Sequence, residues 1–235
     1  ALWEAMQDLG ETFIVAPSIE KSASSHSLSL SEIIRTRKVD RKDGFKGWSV
    51  DGTPVDCVKI ATKILMKDKP NILVSGINHG ANLGHNIMYS GTVSAAAEGM
   101  VMGIPSIAIS LASDKTNNYD TVKKYAKIIV NKVIQKGLPK DTLLNVNVPY
   151  CTDKEINGIK ITKQGNQYFK DDYEHRINPR KESYFWIKGK IIDKDMSIDF
   201  DGKAIQENYV SITPIYFKLT NESFIKDLKS SYYNE

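Results

Sequence analysis

The densest chemistry of the chain lies in residues 74–100, VSGINHGANLGHNIMYSGTVSAAAEGM. Gly76, Gly80, Gly84 and Gly91 fall within sixteen positions, and Asn78, His79, Asn82, His85, Asn86, Ser90 and Thr92 are set among them. Ser90, Gly91 and Thr92 stand at the start of a small-residue run with helical character. There, unsatisfied backbone N–H groups and the positive end of the helix dipole make a natural anion site. The glycines match neither the G-x-G-x-x-G order nor the terminal Gly-Lys-Ser/Thr of a P-loop, so a single phosphoryl group suits the segment better than a dinucleotide or a triphosphate. Asn78 and Asn82 add neutral oxygens which, if joined by carboxylates, suit a hard divalent cation. The plain alternative is a tight crossover whose asparagines cap turns. Two asparagines beside a helix start favour the binding reading.

A second polar loop, residues 18–30 (SIEKSASSHSLSL), follows the apolar segment TFIVAP and is rich in hydroxyls. Its composition also fits a simple surface loop. His26, His79 and His85 have no ligand partner at regular spacing, and such histidines are by default loop hydrogen-bonders.

These loops need elements to hold them. Leu2, Ala5, Met6 and Leu9 fall at helical spacing, with Gly10 placed to end that helix. Residues 12–17 read as a short buried strand. Thr53 is placed to cap a helix with Pro54 at its first position, and Val55, Val58, Ala61, Ile64 and Leu65 form its apolar face. Strands are expected at 71–76, 106–110 and 142–149, and helices at 92–102 and from 120 or 121 to 136. In the last helix Val122, Ala126, Ile129, Val130 and Val133 face inward. Near-continuous apolar strands alternating with helices indicate an α/β, Rossmann-like, doubly wound and mostly parallel sheet. Such folds begin on a strand, so the partial helix at Ala1 leads us to expect a strand and loop ahead of it.

Beyond Pro149 the pattern changes to alternating and β-branched segments at 159–163, 184–190 and 209–214. Polar stretches lie between them at 170–174 and 193–201, and a short helix is expected at 222–228. We therefore expect a core of residues 1–150 and a hairpin-rich region, 151–235. Its aromatic tip, Tyr184, Phe185 and Trp186, packs either on a partner subunit or on the chain's own core.

Composition limits the partners. With 41% hydrophobic and 26% charged residues the chain is ordinary for a globular protein. It contains neither a membrane-length apolar run nor a signal-like segment, and a cytoplasmic location is expected. Cys57 and Cys151 give no zinc spacing and no disulfide framework. Lys and Arg exceed Asp and Glu by 32 to 28, too small an excess to indicate nucleic acid. The basic stretch 35–46 reads as a solvated turn, with an anion-attracting rim as the sharper alternative.

The residues VSGINHGANLGHNIMYSGTVSAAAEGMVMGIPSIAIS, with VAPSIEKSASSHSLSL, GTPVDCVKIA, LNVNVP and YVSITPI, together resemble the SurE family. The family is one of survival proteins acting as metal-dependent 5′/3′-nucleotidases. The resemblance implies that Ser22 and Asn78 are ligands of a divalent cation, Mg2+ or Mn2+. It implies that Ser90, Gly91 and Thr92, with Asn82 nearby, hold the phosphate, and that Asn78, Ser90, Gly91 and Thr92 are the catalytic set. It also implies a Rossmann-like core whose C-terminal hairpins build homodimers or homotetramers. The substrates implied are nucleoside monophosphates or other small phosphoesters, polyphosphate among them. One departure stands out, because the family's two adjacent metal-binding aspartates in an NDDG loop have no counterpart here. Asp51, Asp56, Asp171 and Asp172 lie in other contexts and inherit no such role, so we expect weak or absent metal binding from residues 1–235 alone. The alternative functions are a nucleotide- or anion-binding module without turnover and, through residues 35–46, an RNA contact.

Overall fold

The protein is described from a computed structural model that covers residues 1–113 and 118–233. Helix α1 (Leu2–Met6) continues as a 3-10 turn to Leu9 and stops at Gly10, whose φ of 148° is open to glycine. Strand β1 (Val15–Pro17) follows, then β2 (Thr36–Asp40) and β3 (Lys46–Val50). These three form a small sheet in the order β1-β3-β2, with β1 parallel and β2 antiparallel to β3.

Two expectations change here. Residues 12–17 yield a strand of three residues that is half-exposed rather than buried, because its partner is β3 in a peripheral sheet. Residues 35–46 supply a β-hairpin, in which only the tip is a turn. Trp48 carries the Lys38 ammonium over its ring at 5.4 Å, so the basic residues cover aromatic surface on a strand pair.

Helix α2 (Pro54–Ile60) starts on a capping box: Thr53 Oγ1 accepts from the Asp56 amide at 3.1 Å, and Asp56 Oδ2 accepts from the Thr53 amide at 2.9 Å. The helix widens into a π turn over Ala61–Leu65. That widening shifts the helical phase, and Ile64, expected on the buried face, is 70% exposed.

The core is a five-stranded sheet. Strand β4 (Leu73–His79), helix α3 (Gly91–Val101), strand β5 (Ser106–Ala112), helix α4 (Asp120–Lys136) and strand β6 (Leu143–Pro149) alternate as expected. After β7 (Ile159–Ile161), β8 (Tyr168–Ile177), β9 (Ser183–Ile192) and α5 (Asp201–Gln206), strand β10 (Val210–Ile215) returns to that sheet, and α6 (Glu222–Asp227) follows. The order is β4-β5-β6-β10-β7, with β4, β5 and β6 parallel and β10 antiparallel to β6. Residues 151–235 thus share the sheet of residues 1–150.

One face is covered by α4 and α1, and the other by α3. All five residues expected to face inward on α4 are buried. Ile107, Ile109, Val146 and Val148 are fully buried beneath it, and each stabilises the fold by roughly 1.5–3 kcal/mol relative to exposure. Strands β8 and β9 form a separate two-stranded hairpin in register from Tyr168↔Ile192 to Ile177↔Ser183. Residues 170–174, a polar stretch by sequence, are therefore strand. Cross-strand pairs such as Glu174 with Lys188 hold it, and the chain's alternation of apolar residues does not.

Candidate active site

Chain connectivity brings the two polar loops to one place. A cleft of about 1650 Å³ opens beside the β4 edge, and Ser22, Asn78, Asn82, Ser90, Gly91 and Thr92 all line it. At its floor, β4 is irregular between Ser75 and Asn78. The Asn78 amide nitrogen donates to the carbonyls of His79 at 2.8 Å and Gly80 at 2.9 Å. Its Oδ1 is thereby turned to Thr92, whose hydroxyl donates to it at 3.1 Å. The end of β4 and the start of α3 are thus tied through two of the residues singled out from sequence.

Ser90 is the N-cap of α3, and its Oγ accepts from the Val93 amide at 3.1 Å. Its hydroxyl oxygen is engaged in capping, while the amides of Gly91 and Thr92 occupy the first turn, where no intrahelical acceptor exists. At Gly91 a Cβ atom would meet the Ser24 hydroxyl and Pro54, so glycine is required for the second loop to close over the helix end. Ser24 Oγ is buried there without a hydrogen-bond partner.

Asn82 is buried rather than free beside a ligand. Its amide donates to Asn147 Oδ1 at 2.8 Å, its side-chain nitrogen donates to Ser110 Oγ at 2.8 Å, and its carbonyl accepts from Asn145 and Asn147. Asn145 Oδ1 is buried with no partner.

The serine-rich loop is anchored at several points. Ser25 bonds to the carbonyls of Met88 and Tyr89, and the Thr53 hydroxyl donates to the Ser27 carbonyl at 2.8 Å. Ser29 donates its amide to Asp56. Ala23 and Ser25 are held at φ of 51° and 49°, a region that non-glycine residues occupy only under such constraint. His26 Nε2 lies 2.9 Å from Glu98 Oε2, and Lys59 Nζ lies 2.5 Å from Glu98 Oε1. Burial acts to raise the Glu98 pKa, but hydrogen bonds and charge from Lys59 and His26 outweigh it and hold the carboxyl below its ordinary value. His79 stacks on Tyr119 and hydrogen-bonds its hydroxyl.

Sequence reasoning passed over Glu98, Asn145, Asn147 and Asp201. The signals were present: a lone acid inside an alanine run, and asparagines alternating through a buried strand. Ser22 is exposed and donates to Glu20 Oε1 at 3.1 Å; it bonds to none of the other residues named above.

The cation implied by the family resemblance can be tested against these donors. Among the described residues no three His, Cys, Asp or Glu side chains converge as a metal site. Ser22 and the Thr92-bound oxygen of Asn78 offer only neutral oxygens, and hard divalent ions are held largely by carboxylates. The described residues do not by themselves fit a tightly held divalent cation.

The model of the Survival protein SurE family matches residues 1–171. This chain belongs to the SurE family. It is similar, at 42% identity over 97% of its length and 89% of the relative's, to the 5′-nucleotidase SurE of Christiangramia forsetii. It is 40% identical to the 5′-nucleotidase SurE of Heliobacterium modesticaldum, covering 97% of this chain and 84% of that one. The crystal structure of the SurE protein from Aquifex aeolicus superposes with a TM-score of 0.83 at 40% identity, over 97% of this chain and 92% of that chain. A likeness of that extent carries the SurE fold across both the parallel core and the C-terminal hairpin.

Proposed function

We propose that this protein is a phosphoric monoester hydrolase acting on nucleoside monophosphates. The observation that carries the reading is the contact of Asn78 Oδ1 with the Thr92 hydroxyl at the open end of α3, inside the cleft and in a family whose relatives are named 5′-nucleotidase. The first-turn amides of Gly91 and Thr92 bind the phosphoryl oxygens, while the Thr92 hydroxyl gives its hydrogen to Asn78. Because these donors are fixed before substrate arrives, they stabilise charge as it develops on the transferring group. Asn78 orients Thr92, and buried Asn82 holds the loop between them against the sheet. The Ser24 hydroxyl, lacking a protein partner, is placed to donate at the same helix end.

Activity is expected to require added Mg2+ or Mn2+. The assay is release of phosphate from AMP by the full-length protein with and without chelator. Asn78→Ala is expected to lower kcat/KM by about 100-fold, the scale of a lost preorganised transition-state contact. Undiminished turnover in Asn78→Ala would refute the assignment, and ligand binding without any turnover would favour a simple binding module.

We further infer that the protein is a homo-oligomer assembled through β8 and β9. Tyr173, Phe185, Trp186 and Ile187 are each more than half exposed on that hairpin. An isolated two-stranded hairpin is marginal in water, and a second copy supplies the missing cover.

A further inference from the structure

Residues 84–89, a 3-10 segment, are the bridge between Asn82 and the Ser90 cap. They are gripped from the C-terminal region. Asp201, completely buried at the start of α5, accepts the Gly84 amide on Oδ2 at 3.0 Å, and the Gly165 and Gly202 amides on Oδ1 at 2.9 and 2.8 Å. Gln164 Nε2 donates to the Gly84 carbonyl at 3.0 Å. The carbonyl of Gln167 accepts the His85 amide at 2.8 Å, and Asn86 Oδ1 accepts the Phe169 amide at 3.2 Å. Gly84 sits at φ 52°, and a Cβ there would lie 2.5 Å from the Gln167 oxygen. Both sides of its peptide environment are therefore specified by residues far along the chain.

We propose that Asp201 is a positioning residue for the phosphate cleft, acting with Gln164 as a clamp on Gly84. The inference rests on the phosphatase reading above. A buried carboxylate with only amide donors is an expensive device if packing alone were needed, since a hydrophobic side chain fills a core at lower cost. What the carboxylate adds is directional: it fixes the Gly84 N–H, hence the backbone that carries Asn82 to the sheet and delivers Ser90 to α3. Burial raises the Asp201 pKa, with the three amides acting in the opposite sense. Charge repulsion from Asp193 adds to the rise.

The test is Asp201→Asn in the full-length protein, which keeps the shape but turns an acceptor into an NH2 group. The expected result is a fall in kcat/KM of about 10- to 100-fold carried by kcat, the scale of a small misplacement in a positioned site. Hydrogen exchange should quicken at residues 84–89 and stay unchanged in Ser106–Ala112. Thr162→Val, which cuts the buried hydroxyl cluster with Ser211 and Thr213 but leaves the loop untouched, should keep kcat/KM within about twofold of wild type. Asp201→Asn with kcat/KM equally close to wild type, or exchange rising equally in both segments, would overturn the proposal. If Asp201→Asn does not fold, Gln164→Leu removes the second grip and must quicken the same exchange. Wild-type protein without turnover sinks the phosphatase reading alone, because the exchange result still decides whether Asp201 holds the loop.

Discussion

Replacing Glu98 with glutamine gives the sharpest check on how the serine-rich loop is held. The Glu98 side chain is 7% exposed, whereas His26 and Lys59 are 38% and 43% exposed. Gln keeps the volume and one acceptor, loses the charge, and satisfies one partner instead of two. A buried pair broken with both partners trapped costs several kcal/mol. Here the released cation turns to water, so the loss is that of charged hydrogen bonds at the low end, about 1–2 kcal/mol. For a chain of this size that corresponds to a fall in Tm of about 2–8 °C. The pH dependence follows from the depressed carboxyl pKa. Glu98 contributes stability above its unfolded pKa near the ordinary 4.5, and that contribution is lost as pH falls through the lower folded value. The Tm difference between wild type and Glu98→Gln should therefore be full at pH 6 and shrink below about pH 4.5. Differential scanning calorimetry across pH 3.5–7, with hydrogen exchange of residues 22–29, makes the measurement. A Tm within about 1 °C of wild type at pH 6, with unchanged exchange in that loop, would refute the reasoning.

Two further outcomes are expected. Replacing Phe185 and Trp186 together by serine should leave the fold intact and shift the sedimentation mass to monomer; an unchanged oligomer would remove the hairpin as the interface. Glu174, beside Arg176 and Lys188, has its pKa held down to about 2 by hydrogen bonds to both. NMR titration should find its carboxyl ionised well below pH 4.5, the cross-strand pairing being lost only as pH falls toward about 2. A midpoint near the ordinary value would show that the ion pairs do not persist in solution.

The α/β alternation was legible because its strands and α4 are buried on known faces, so apolar spacing alone marks Val122, Ala126, Ile129, Val130 and Val133. The helix start near Ser90 was legible from the run of small residues that opens there, whereas the Ser90 cap itself was not. Less visible were strands defined by their partners: β2 carries Arg37, Lys38 and Asp40 in five residues, and β8 is polar, so each is a strand because of what lies alongside. Also hidden were the residues that position the cleft. Glu98 meets His26 across 72 positions and Gly84 meets Asp201 across 117. No local spacing encodes such a pairing. Ser22 shows the converse: its loop follows from sequence, while its exposed bond to Glu20 does not.

The antiparallel return of β10 sets an order on biosynthesis. Strand β6 pairs on one side with β5 as soon as both exist, but its other edge stays open until Val210–Ile215 emerges and docks from Leu143↔Ile215 to Asn147↔Ser211. Asp201 likewise reaches Gly84 only after β8 and β9 have been made. A nascent chain therefore carries an unpaired, apolar strand edge from the completion of Pro149 until Val210 is made, the condition that exposes slow non-local sheets to misassembly. The cleft is completed only once Asp201 and β10 have emerged, so a chain released before then is left with an open sheet and an unclamped loop.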